Sequence, residues 1–114
     1  MNPSLSPDLQ MQYMRPGQVE TAGRVCPVVY VPCGPIEWHG LHNPLGCDVI
    51  KAHSIVVKAA EKFGGVVYSP VYFHSDFDQN HLVQILTHLF EQLKRPAIAS
   101  SSASPATTST ARST

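Results

Sequence analysis

Two valine-rich runs, separated by one amphipathic stretch and a Gly-Gly pair, constrain this chain more than any other feature. Residues 25–31 hold Val25, Val28, Val29, Tyr30 and Val31, and residues 66–73 are again rich in Val and Tyr. Short continuous runs of β-branched and aromatic side chains suit strands buried on both faces, as in a parallel sheet covered by helices. Pro27 lacks a ladder donor, which places it at the entry of the first strand. Between the runs, Val49, Ala52, Val56, Ala59, Ala60 and Phe63 recur at helical spacing, with Lys51, Lys58, Glu61 and Lys62 mostly opposite. The spacing predicts a helix over 49–63, with Asp48 at its N-cap and Gly64 and Gly65 free to take positive φ at its end. Strand, helix and strand then form a parallel βαβ unit with a right-handed crossover, which is α/β architecture.

The flanks are less informative. Residues 1–24 carry Pro3, Pro7, Pro16 and Gly17, show no sustained period, and read as an irregular lead-in with at most a helical turn over 7–14. A second helix is expected over 81–95. There Leu82, Ile85, Leu86, Leu89 and Leu93 form a stripe, Val83 and Phe90 widen it, and Lys94 and Arg95 complement the helix dipole. Pro96 stops that helix. The remainder is almost entirely Ser, Thr, Ala and Pro, a composition too poor in apolar surface to offset its ordering entropy, so a disordered tail is expected over 96–114. The domain proper is thus expected over 25–95.

Composition narrows the function classes. Eight basic and eight acidic residues in 114 give no net charge, which argues against an electrostatic grip on nucleic acid or an anionic membrane. The longest uncharged apolar stretch, 25–36, is far short of the roughly 20 residues that span a bilayer, and Pro27, Pro32, Gly34 and Pro35 interrupt it. Residues 1–13 lack the cationic start and apolar core of a secretory signal, so a cytoplasmic location is expected. Cys26, Cys33 and Cys47 are odd in number and form no C-x-x-C pair, which suggests neither a disulfide framework nor a zinc knuckle.

The chemistry concentrates in residues 33–48, just past the carboxyl end of the first strand, where open parallel α/β sheets bind ligands. Glu37 and His39 are two apart, so an extended chain points both the same way. Asp48 returns at the helix start and can face the same space. Carboxylate, imidazole and carboxylate make a mixed O/N donor set suited to a divalent metal such as zinc or manganese. Glu-x-His alone is common, and an Asp before a helix is most often a cap.

The order of residues adds to this. Glu37, His39, Gly40, His42, Pro44 and Asp48 reproduce Glu-x-His-Gly-x-His-x-Pro-x-x-x-Asp, and over residues 28–72 the chain resembles the creatininase (creatinine amidohydrolase) family. The resemblance implies a partial three-layer α/β/α domain. It also implies a metal-dependent hydrolase acting on a C–N bond of a small cyclic amide or formamide, with a two-ion centre of zinc, manganese or iron. Glu37 would bind one ion and His39 the other, Asp48 would bridge them, and His42 would stand beside them without ligating. Cys47 stands where the family often has Thr, which leaves that ligand set intact. Family members commonly form oligomers, so a homo-oligomer is an expectation too.

The family domain is about twice this length, and its other two ligands, a His and a Glu, follow in its second half, the His in an Asn-Gly-His motif that this sequence lacks. The expectation is therefore a truncated, poorly stable and inactive N-terminal part, or else a non-catalytic metal-binding fragment that pairs with a full-length relative. His74, Asp76, Asp78, Asn80 and His81 read as a polar strand-to-helix loop, with Asp78 or Asn80 capping the second helix. His53 and His88 fall inside the helices and read as partly exposed or hydrogen-bonded structural residues.

Overall fold

The computed structural model describes residues 5–94; the expected tail, Arg95 and Pro96 lie outside the described residues. Two single-turn 3-10 helices, Pro7–Leu9 and Met11–Tyr13, lead into helix α1 (Pro16–Val25). Strands β1 (Val29–Tyr30) and β2 (Cys33–Ile36) follow, then helix α2 (Cys47–Phe63), strands β3 (Val66–Val67) and β4 (Val71–His74), and helix α3 (Gln79–Lys94). The result is a mixed α/β fold with parallel strand pairs, as the sequence pattern requires.

The second expected strand is broken in two, and the first ends at Tyr30 and resumes as β2 beyond its expected end at residue 31. β1 pairs with β3 through Val29↔Val66 and Tyr30↔Val67, and β2 pairs with β4 from Cys33↔Val71 to Ile36↔His74. Pro32 and Pro70 sit in the gaps and have no N–H to give a ladder. Hydrogen bonds nonetheless cross the break. The Tyr68 N–H donates to the Tyr30 carbonyl at 2.8 Å, and the Val71 N–H to the Pro32 carbonyl at 2.9 Å. Between Tyr30 and Cys33 the first strand advances three residues while its partner advances four, from Val67 to Val71. One extra residue is absorbed there, as in a bulge. Both pairs are thus halves of one kinked ladder, which runs further than expected, through Gly34 and Pro35 to Ile36.

The lead-in expected to be irregular contains α1. Pro16 supplies a preset φ at its first position, the Gln18 side chain accepts the Arg15 N–H at 2.7 Å, and Arg24 pairs with Glu20 at 2.7 Å. No residue of α1 is buried, so no apolar stripe announced it. Val25 ends this helix and does not start the strand. Upstream, Leu5 joins the core with Val57, Ala60 and Val67, and buried Gln10 bridges to Val67.

Helix α2 is the centre of the packing. Its buried face is Val49, His53, Val57 and Ala60, whereas Phe63, expected inside, is 71% exposed. The stripe is rotated because the sheet lies on one side and the lead-in on another. His53 departs from expectation: it is buried, and among the described residues its Nε2 has no hydrogen-bond partner. Helix α3 forms as the periodicity predicts, and the Asp78 carboxylate caps it by accepting the Asn80 N–H at 3.1 Å. It buries none of its residues, and Val83 and Ile85 are exposed.

Two predictions follow from α2. Gly64 and Gly65 both have positive φ (93° and 100°), and a Cβ on Gly65 would meet the Val28 carbonyl oxygen at 2.9 Å. Gly65→Ala therefore combines backbone strain with a contact that only the backbone can relieve, and should lower stability by about 1–3 kcal/mol, read from the urea midpoint. Burial holds the His53 imidazole below its ordinary pKa. The unfolded chain then binds more protons than the folded one just below about pH 6.5, so His53 stabilises least in acid. Stability should fall as pH drops through and below that value, and His53→Leu should flatten this part of the curve in denaturation measured across pH.

Candidate metal centre

The site is built where β2 leaves the sheet and α2 returns to it. After Ile36 the chain makes a loop closed at its base: the Glu37 N–H donates to the Leu45 carbonyl at 2.9 Å. Inside the loop the Asn43 side-chain amide donates to the His39 carbonyl at 2.9 Å, and Gly40 takes a φ of 89° to turn the chain. The Cys47 N–H then donates to the Pro44 carbonyl at 3.2 Å as α2 begins.

Asp48 was expected to cap α2. Gly46 occupies the N-cap instead, without a side-chain cap, and Asp48 lies in the first turn. Its carboxylate is therefore not engaged with the helix backbone as a cap and is turned toward the loop, while still benefiting from the positive end of the helix dipole. Close packing makes this possible. A Cβ on Gly34 would meet Val49 Cγ2 at 3.0 Å and Asp48 Cβ at 3.7 Å, so the absence of a side chain there lets the helix start rest directly on β2.

The structure brings Glu37, His39 and Asp48 together. His39 Nε2 lies 3.2 Å from Asp48 Oδ2 and 3.4 Å from Glu37 Oε1. One ring nitrogen thus faces two carboxylates and, as a donor, carries one proton for both. Among the described residues neither carboxylate pairs with Lys or Arg. The three side chains are partly exposed, at 28% for His39, 39% for Glu37 and 44% for Asp48, so the site is half-open to solvent.

The spacing of His39 and Asp48 is compatible with a shared cation. Two N or O donors, each about 2.05 Å from one zinc ion at a tetrahedral angle, stand about 3.3 Å apart. The His39–Asp48 contact, at 3.2 Å, is close to that separation. His42 is not drawn in: it is exposed in the loop, and among the described residues no hydrogen bond or ion pair joins it to the other three. His74 and Asp76 also stay apart, bonded to each other through the Asp76 N–H and His74 Nδ1 at 3.0 Å. What the residue pattern missed is Cys47. Its thiol, His39 and Asp48 offer ligand atoms that all lie within 4.8 Å of one another. Its place beside Asp48 at the helix start was the available signal.

The model of the creatinine amidohydrolase family matches residues 12–95, most of the chain. The chain belongs to the creatininase family. No curated protein and no solved structure matches it significantly. The creatininase match extends well beyond the motif in both directions, taking in α1 upstream and α3 downstream. Helix α1, unexpected from periodicity, thus falls within the creatininase region. This family is metal-dependent in general, which agrees with the cluster of donors at the strand end.

The close approach at Gly34 gives a test of how the centre is held. Gly34→Val places methyl groups against Val49 and Asp48 and should lower stability by about 1–3 kcal/mol, read by urea unfolding. It should also separate Asp48 from His39, seen as loss of the NMR cross-peak between the His39 ring and the Asp48 methylene.

Proposed function

We propose that this chain carries the strand-end part of a metal-dependent amidohydrolase centre that acts on a C–N bond of a small cyclic amide or formamide. The observation that supports it most is His39 Nε2 facing both Glu37 and Asp48, with no basic residue paired to either carboxylate among the described residues, in a chain of the creatininase family. Among the described residues no Lys or Arg offsets the two acidic side chains, and a divalent cation would do so.

On this reading Glu37, His39 and Asp48 would hold a centre of zinc, manganese or iron, with Asp48 as its shared carboxylate. Bound there, the metal would supply hydroxide near neutral pH and polarise the amide carbonyl. The chain's own part is positioning. The Glu37–Leu45 backbone bond and the Asn43–His39 contact fix the loop that presents Glu37 and His39, and the first turn of α2 presents Asp48.

The sequence has no Asn-Gly-His motif. The donor set within this chain is therefore incomplete on this reading, and it turns over little or no amide alone. The proposed setting is the cytoplasm, with neither nucleic acid nor membrane as partner; among the described residues no helix is long and apolar enough to cross a bilayer.

Metal analysis of the purified chain after dialysis tests the assignment. Zinc or manganese should be retained by the wild type and lost in Glu37→Ala and Asp48→Ala. Unchanged metal content in either variant removes that residue from the centre. A second reading, a non-catalytic metal-binding piece that pairs with a full-length relative, is favoured by the two-stranded sheets and by the exposed Val83 and Ile85 of α3. It expects metal retention without amide turnover, and co-elution with the relative.

A further inference from the structure

Cys47 is the first residue of α2 and a free, half-buried thiol. Its Sγ lies 4.0 Å from Asp48 Oδ1, and it shares the space between β2 and α2 with His39. The backbone that carries it is well held. Gly46, just before it, is buried so tightly that a Cβ there would meet the Tyr72 ring at 2.8 Å and Ile36 Cδ1 at 3.4 Å. The Cys47 N–H is tied to Pro44.

We propose that Cys47 ligates the metal through its sulfur, together with His39 and Asp48, and that this thiolate makes the centre select zinc over manganese. The inference rests on the metal-binding reading above and names the cation class that reading left open. Sulfur and oxygen donors on one tetrahedral zinc, at about 2.3 and 2.05 Å, stand about 3.6 Å apart. The observed 4.0 Å, to the Asp48 oxygen other than the one His39 contacts, is somewhat longer than this, and all three ligand atoms lie within 4.8 Å of one another. On ligation the sulfur–metal bond forms and the thiol proton leaves to solvent. A soft thiolate adds much to zinc or cobalt binding and little to manganese, which prefers oxygen donors. Glu37 and Asp48 alone would not discriminate in this way.

Cobalt(II), zinc and manganese binding to the full chain provides the test. Cobalt should produce a near-ultraviolet sulfur-to-cobalt charge-transfer band in the wild type and in the Cys26→Ser/Cys33→Ser double variant, but not in Cys47→Ser. Zinc affinity should fall by at least about tenfold in Cys47→Ser while manganese affinity holds. Cobalt bound without the band, or unchanged zinc affinity in Cys47→Ser, overturns the role of Cys47 and leaves Glu37, His39 and Asp48 standing. Cobalt bound equally by Glu37→Gln and Asp48→Asn, or not bound by the wild type, overturns the metal centre and Cys47 with it.

Discussion

The contact between the start of α2 and β2 is the constraint on which the rest of the structure depends. Gly34 lies under Val49 and Asp48, and a Cβ there would meet Val49 Cγ2 at 3.0 Å and rest against Asp48 Cβ at 3.7 Å. That approach sets how close the first helical turn comes to the strand end. Glu37 and His39 leave the strand a few residues later, so the helix that packs on Gly34 also carries Asp48 to them. Packing and chemistry are thus one geometric fact: the crossover that builds the βαβ unit closes the donor cluster. Fully buried Val49 and Val57 anchor the helix at two points along its length, which fixes its direction as well as its height.

Much of this was legible in the residues. The 49–63 periodicity and the Gly64 and Gly65 stop marked α2 to within two residues, because an amphipathic helix between a loop and a positive-φ exit has strong local signals. That His39 could meet Glu37 and Asp48 at the strand end was legible from their places in the motif. What was not legible depends on tertiary context. The break at Pro32 and Pro70 needs two strands in register before the missing donors face each other. Phe63 and His53 exchanged their expected places because the sheet and the lead-in approach α2 from directions that a helical stripe alone does not encode. Helix α1 rests on Pro16, on Gln18 and on an Arg24–Glu20 pair, none of which makes an apolar period.

Electrostatics explains why the cluster is more than a polar loop. Ion pairs exposed to this degree contribute about 0–1 kcal/mol, so His39 gains little by bridging two carboxylates for stability's sake. A loop under no other demand could turn Glu37 outward into water at almost no cost. Glu37 instead faces the same nitrogen as Asp48, near the N-terminus of α2, where a second negative charge is tolerated through the helix dipole. Membership in a metal-dependent family supplies the reason such an arrangement would be kept.

The openness of the site has a further consequence. Hydrolytic centres work best when protein surrounds the reacting group, since a lowered dielectric strengthens each fixed charge. Here Glu37, His39 and Asp48 are 39%, 28% and 44% exposed, so the group of donors meets solvent. Helix α3, though inside the family region, buries no residue and keeps Val83 and Ile85 in water. The described residues thus bring donor atoms together at the strand end and leave them partly exposed. On the reading proposed above, metal affinity and catalytic turnover would be separable: a cation would need only the contacts between the strand end and the helix, whereas an amide would need walls around it.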